Sequence, residues 1–236
     1  MKRIYLIIIF SFLIIIGASF TLAPINKLYV KVYSRQTTAG KLVEIKSEIC
    51  YEQNGNMVTH FTEPANYIIL TNKRGEIKMH DPIKNTVMAV QNNMFSTQSS
   101  ELAYFLLNGT GDMGLPKLGF TPQKTYTEKD LIISEWHLIY PNPKLSVQQI
   151  KLVHQNHNPI YMDYKGIDGK ILRKVYYYGY QKIQNVPFPT ITTEIIYTTN
   201  KDSTVTKTVY SDFKINEDAT SVYFNYKIPA NAKKAE

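Results

Sequence analysis

Residues 57–91 read MVTHFTEPANYIILTNKRGEIKMHDPIKNTVMAVQ, and this stretch decides the fold. Runs rich in Val, Ile, Thr, Tyr and Met occupy 57–61, 67–71, 76–80 and 86–91. Between them stand Glu63-Pro64-Ala65-Asn66, Asn72-Lys73-Arg74-Gly75 and Asp81-Pro82-Ile83-Lys84-Asn85. β-branched and aromatic residues suit a pleated, half-buried surface, while Pro, Gly, Asn and Asp supply the turns. Each run is too short for a helix, so the stretch predicts an antiparallel meander.

The same pattern extends outward. Upstream, 41–51 leads into Asn54-Gly55, a strong hairpin signal. Downstream, strand candidates occupy 121–128, 131–139, 147–155, 160–165, 171–180, 190–198 and 205–213. Pro141-Asn142-Pro143, Asn156-His157-Asn158-Pro159, Asp168-Gly169 and Asn200-Lys201-Asp202 separate them. Many short strands at this spacing predict a sandwich, a barrel or a large curved sheet. One helix interrupts them: Ser99 is its cap, Glu101 sits in its first turn and Asn108-Gly109 ends it. Leu102, Phe105 and Leu106 share one face, with Tyr104 and Leu107 elsewhere. A helix apolar nearly all round is covered on more than one side. With the broken apolar stretch 113–120, it reads either as a lid over an apolar concavity or as core.

Composition narrows the classes. The chain has 236 residues and 44% hydrophobic content, enough for a packed core and against wholesale disorder. One cysteine, Cys50, excludes an internal disulfide framework and any Cys-based zinc or iron–sulfur site. The net charge of +8 implies a basic surface without requiring nucleic acid. Met1-Lys2-Arg3, the apolar run 4–16 and small Gly17, Ala18 and Ser19 form the three parts of a secretory signal peptide, 1–19. The alternative is an uncleaved anchor over 4–23. A single domain is expected over 24–230, with a flexible tail over 231–236.

Catalytic patterns are missing. Gly109-Thr110-Gly111-Asp112-Met113-Gly114 matches G-x-G-x-x-G in letters only, because it follows a helix instead of opening one. His154 and His157 lack a nearby carboxylate and make a poor metal site. Neither a nucleophile elbow nor a zinc helix is present. Asp163, Asp168, Glu194 and Asp202 read as solvated acids beside turns. No enzymatic step, cofactor or metal is expected.

The order of several elements resembles the periplasmic lipoprotein-carrier family (LolA-like). Phe61-Thr62-Glu63-Pro64 followed by Tyr67-Ile68-Ile69-Leu70 is similar to its strand–Arg-Pro–strand element. Residues 71–82 resemble its central hairpin, the apolar helix follows in order, and 222–229 resembles its terminal strand. The resemblance runs from about Gly40 to Ala232. It implies a mainly β fold: a strongly curved antiparallel sheet, an unclosed half-barrel with helices over its concave face. It implies a monomeric periplasmic carrier that takes lipoprotein acyl chains, or another lipid, from an inner-membrane donor complex to an outer-membrane acceptor. Met79, Met88, Leu102, Phe105, Leu106, Leu115, Phe120 and Trp136 are the residues expected to line its cavity and lid. Phe105→Asp is expected to abolish lipid binding in a chain that still folds. Glu63 stands where the family has Arg, with Arg35 and Arg74 as candidate substitutes. The other readings are an anchored lipid-sensing interaction module of the same fold, facing the periplasm from the inner membrane, and an extracytoplasmic hydrolase using His137 or His154.

Overall fold

The computed structural model describes residues 24–91, 96–97, 100–108, 111–140, 142–143, 145–198 and 202–235. The signal-peptide or anchor segment lies outside them. So do Ser99, Gly109, Thr110, Pro141, Asn200 and Lys201, and the side chains of Leu107 and Asn108.

The strands are β1 (Lys27–Thr38), β2 (Lys41–Glu52), β3 (Met57–Glu63), β4 (Tyr67–Thr71), β5 (Glu76–Asp81), β6 (Thr86–Gln91), β7 (Phe120–Glu128), β8 (Leu131–Leu138), β9 (Gln149–Gln155), β10 (Asn158–Lys165), β11 (Ile171–Ile183), β12 (Val186–Tyr197), β13 (Ser203–Ile215) and β14 (Lys233–Lys234). They form one sheet in the order β14-β6-β5-β4-β3-β2-β1-β13-β12-β11-β10-β9-β8-β7. The sheet is curved and does not close into a barrel. Two meanders, β1–β6 and β7–β13, are joined by the antiparallel β1–β13 pair. β14 lies parallel to β6, with Lys233 N–H donating to the Asn85 carbonyl at 2.9 Å.

Turn chemistry sets the hairpins. Gly55 has φ +91°, and a Cβ there would meet the Lys73 Cβ at 2.8 Å, so only glycine fits the β2–β3 turn. Asn156 and His157 (φ 49° and 64°) close the β9–β10 hairpin with both central residues left-handed. Gln184 and Asn185 (φ 50° and 67°) do the same between β11 and β12. That turn has no glycine or proline, and the sequence alone assigns residues 181–189 to no strand, whereas β11 and β12 extend through them.

Alternation gives the sheet two different faces. Leu28, Val30 and Tyr51 point to one face, where they join Ile150, Leu152, Met162, Val175, Tyr177 and Phe188 in the main apolar cluster. The short helix α1 (Glu101–Ala103), continued by one π-helical turn (Tyr104–Asn108), packs on this face. The wide turn buries Leu102, Tyr104, Phe105 and Leu106 together. Tyr29, Cys50, Val58 and Ile68 point to the opposite face, against Ala219, Tyr223, Phe224 and Tyr226. Residues 222–229 are therefore not a terminal strand. Val222–Asn225 is a 3-10 turn with the Ser221 Oγ accepting from the Tyr223 N–H at 3.2 Å. A turn, unlike alternating strand geometry, lets neighbouring Tyr223 and Phe224 pack against the same sheet face.

Candidate functional site

Six of the eight residues chosen from the sequence come together. Leu102, Phe105, Leu106, Leu115, Phe120 and Trp136 are all buried in the main cluster on the helix-bearing face. Phe105 is at its centre, with its ring centroid 5.4 Å from Tyr177 and 5.8 Å from Phe188, both edge-on. The helix and the Leu115–Leu118 turn act as a plug for the β7–β13 half of this face. Phe105 is therefore no place for a charge in a chain that must still fold.

Met79 and Met88 lie elsewhere on the same face. Register carries that face from Val30 through Ile49, Thr59 and Ile69 to Met79 and Met88. Phe61, Ile77 and Val90 flank this row. These side chains are half-buried or exposed, with Met88 46% and Val90 44% accessible. Beyond Tyr51, Ile49 and Met57, which pack on the main cluster, the β3–β6 part of the helix-bearing face is an apolar wall that none of the described elements packs over.

A charged cluster fastens the plug to the sheet. The Arg173 guanidinium pairs with Glu194, lies 3.6 Å from Glu101, and sits over the Tyr164 ring at 4.8 Å. Tyr177 Oη donates to Glu101 Oε1 at 3.2 Å. Burial pushes the Glu101 carboxyl above the ordinary carboxylate value, against the pull of Arg173. The sequence marks Arg173 only as part of a basic Arg173-Lys174 pair; register puts it opposite Ile196, with Glu194 its diagonal neighbour on the same face. The residues named from the sequence in place of the family Arg go elsewhere. Arg35 pairs with Glu44 at 2.9 Å on the opposite face, Arg74 with Glu76 at 3.0 Å in a turn, and Glu63 with Lys46 at 3.0 Å.

Three of the histidines sit in packed surroundings. Buried His80 Nδ1 is 2.6 Å from Tyr226 Oη, and His60 stacks on Tyr223 at 4.2 Å, so both hold the C-terminal segment. His154 is buried, with Gly111 packed against its Nε2. Burial holds His154 below the ordinary histidine value, and His157 lowers it further, while contact with the Gly111 backbone works the other way. A histidine with a depressed folded pKa stabilises the fold above its unfolded pKa, and this contribution is lost as pH falls. Stability is therefore expected to decline as pH drops below about 6.5, the ordinary histidine value, and the decline is expected to shrink in His154→Gln. Urea titrations across that range check it; an unchanged slope in the variant contradicts the assignment. Among the described residues, no three His, Cys, Asp or Glu side chains gather to hold a metal ion.

On the opposite face, a cleft of about 230 Å³ lies against the C-terminal segment and one of about 420 Å³ lies over β1–β3. Val58, Leu70, Phe224 and Tyr226 border the first, and Tyr29, Lys31, Lys46 and Glu48 the second. Neither is lined by any of the eight residues chosen from the sequence.

No family model and no curated protein sequence matches this chain. Solved structures do. A LolA superfamily protein from Nitrosomonas europaea aligns over 83% of this chain and 88% of its own, with TM-score 0.56 and 15% identity. The chain has the LolA-type fold. A DUF1329 family protein from Desulfovibrio piger aligns over 86% and 91%, with TM-score 0.59 and 12% identity. A domain described as an outer membrane lipoprotein-sorting protein, from Vibrio parahaemolyticus, aligns over 85% and 89%, with TM-score 0.57 and 12% identity. Here one sheet face combines a plugged region with an apolar region that none of the described elements covers.

Proposed function

We propose that this chain is a cell-envelope carrier that holds the acyl chains of lipoproteins, or another lipid, and passes them from the inner towards the outer membrane without a chemical step. The apolar wall of β3–β6, which none of the described elements covers, carries this reading. Soluble domains rarely leave such a face uncovered, and one that lies beside a packed core marks a binding surface. Burying an acyl chain there contributes about 0.8 kcal/mol per CH₂. Met79 and Met88 give that wall unbranched, adaptable side chains, which suit cargo that must be both held and released. The LolA-type fold supports a lipid-binding role and an envelope location. Among the described residues, no helix is long and apolar enough to cross a membrane.

Native mass spectrometry of the chain, purified from the envelope without detergent, tests the proposal. A lipid-sized adduct is expected. Met88→Glu sits on an exposed site and keeps the fold, yet places a charge on the wall. It is expected to lower acyl-chain affinity at least about tenfold, the equivalent of some two CH₂ groups of burial. Unchanged binding in that variant removes the wall from the site.

A further inference from the structure

The helix-bearing face changes character between the apolar wall and the plug. On β13 and β1 the residues turned to this face are Thr204, Thr206 and Thr208 opposite Thr38, Gln36 and Ser34. All but Thr38 are half-buried, while Val205 and Lys207, turned the other way, are exposed. This inverts the usual pattern, in which the less accessible face of a strand is the apolar one. A face packed on its own core would be apolar, and a plain solvent face would be the more accessible one. This strip is polar and recessed.

Its groups retain bonding capacity. Ser34 Oγ and Thr208 Oγ1 are 2.9 Å apart; that bond uses one of their two O–H donors and leaves the other. Among the described residues the half-buried Thr206 hydroxyl has no partner. Register places Glu194 directly beside Thr206. Arg173 is already engaged by Glu194 and Glu101, and Lys41, opposite Thr38, is exposed at the end of the strip, so Glu194 is the charged group directly beside Thr206. On the other side, Gln36 and Ser34 lie opposite Val43 and Ile45, towards the apolar wall.

We infer that this strip binds the polar headgroup of the amphiphile whose chains lie on the wall, and that it selects an uncharged, hydroxyl-bearing headgroup over an anionic one. The inference rests on the acyl-chain reading above. Hydroxyl and amide side chains meet a diol donor for acceptor, whereas an anion meets the Glu194 carboxylate beside Thr206.

Competition between 1-myristoylglycerol and myristate for the full chain tests it, below micelle-forming concentrations and with the acid ionised, read by native mass spectrometry. The glyceride is expected to bind about tenfold more tightly. The double variant Thr206→Val, Thr208→Val keeps strand-compatible shapes and is expected to bind both chains with that preference abolished. Equal binding, tighter binding of the anion, or a preference that survives in the double variant overturns the headgroup site while leaving the wall intact. Binding of neither amphiphile overturns the acyl-chain reading, and the headgroup site with it.

Discussion

Replacing Phe105 by alanine is expected to lower the free energy of unfolding by about 3–5 kcal/mol, among the largest effects of any single truncation in this chain. Phe105 is 6% accessible, and the edge-on contacts with Tyr177, Phe188 and Tyr104 all depend on it. Its removal leaves a cavity where a helix segment meets β11 and β12. The segment is short and irregular, so packing holds it in place more than helical hydrogen bonding does. Phe105→Asp goes further, since it buries a carboxylate close to Glu101, whose own charge is already disfavoured by burial. Domains are stable by about 5–15 kcal/mol, so the Asp variant is expected to be largely unfolded. Trp136 lies in the same cluster and reports the transition by its fluorescence in urea. A loss below about 1 kcal/mol for Phe105→Ala would be that of a surface site, and would show the plug to be a loosely held lid.

That outcome bears on what the sequence made readable. Strand positions and most hairpins follow from local chemistry: Asn54-Gly55 and the turns at 72–75 and 81–85 need no distant partner to be recognised. Leu102, Phe105 and Leu106 are legible as a segment that must be covered, because Tyr104 and Leu107 make its other sides apolar as well. What covers them is not legible, since Tyr177 and Phe188 lie some seventy or more residues away and meet them only through the sheet order. The Arg173–Glu194–Glu101 cluster is hidden for the same reason. Met79 and Met88 look no different in sequence from the plug residues. Their position beyond the plug, half-open on β5 and β6, follows from register across five strands. The turn at 222–225 was hidden differently. Tyr223, Phe224 and Tyr226 have strand-like propensity, and tertiary packing on Tyr29, Cys50 and Ile68 overrides it.

Deleting residues 216–235 is expected to raise the reactivity of Cys50 by at least about a hundredfold, with a marked loss of stability. In the full chain Cys50 is 2% accessible beneath the C-terminal segment, and burial pushes its thiol up to about 11. At neutral pH only about one molecule in ten thousand then carries the reactive thiolate, before access is considered. The deletion removes Ala219, Tyr223, Phe224 and Tyr226 from above Cys50, Val58 and Ile68, and so opens an apolar patch to water. It also takes Tyr226 Oη from buried His80 and Tyr223 from its stack on His60. A buried ring nitrogen without its partner costs about 1–3 kcal/mol, and the lost apolar contacts add to that. The β14 pairing at the exposed edge of β6 goes as well, leaving Thr86 and Val87 without an outer neighbour. Labelling of Cys50 by an aromatic disulfide, followed by absorbance, separates the two effects. A deletion variant that keeps its far-ultraviolet spectrum and labels fast shows that the segment is a cover on a sheet that stands without it. One that labels fast and has lost its spectrum shows that the cover is part of the fold. Slow labelling in a folded variant would mean that the sheet itself shields Cys50, and that the tyrosines of 223–226 do not.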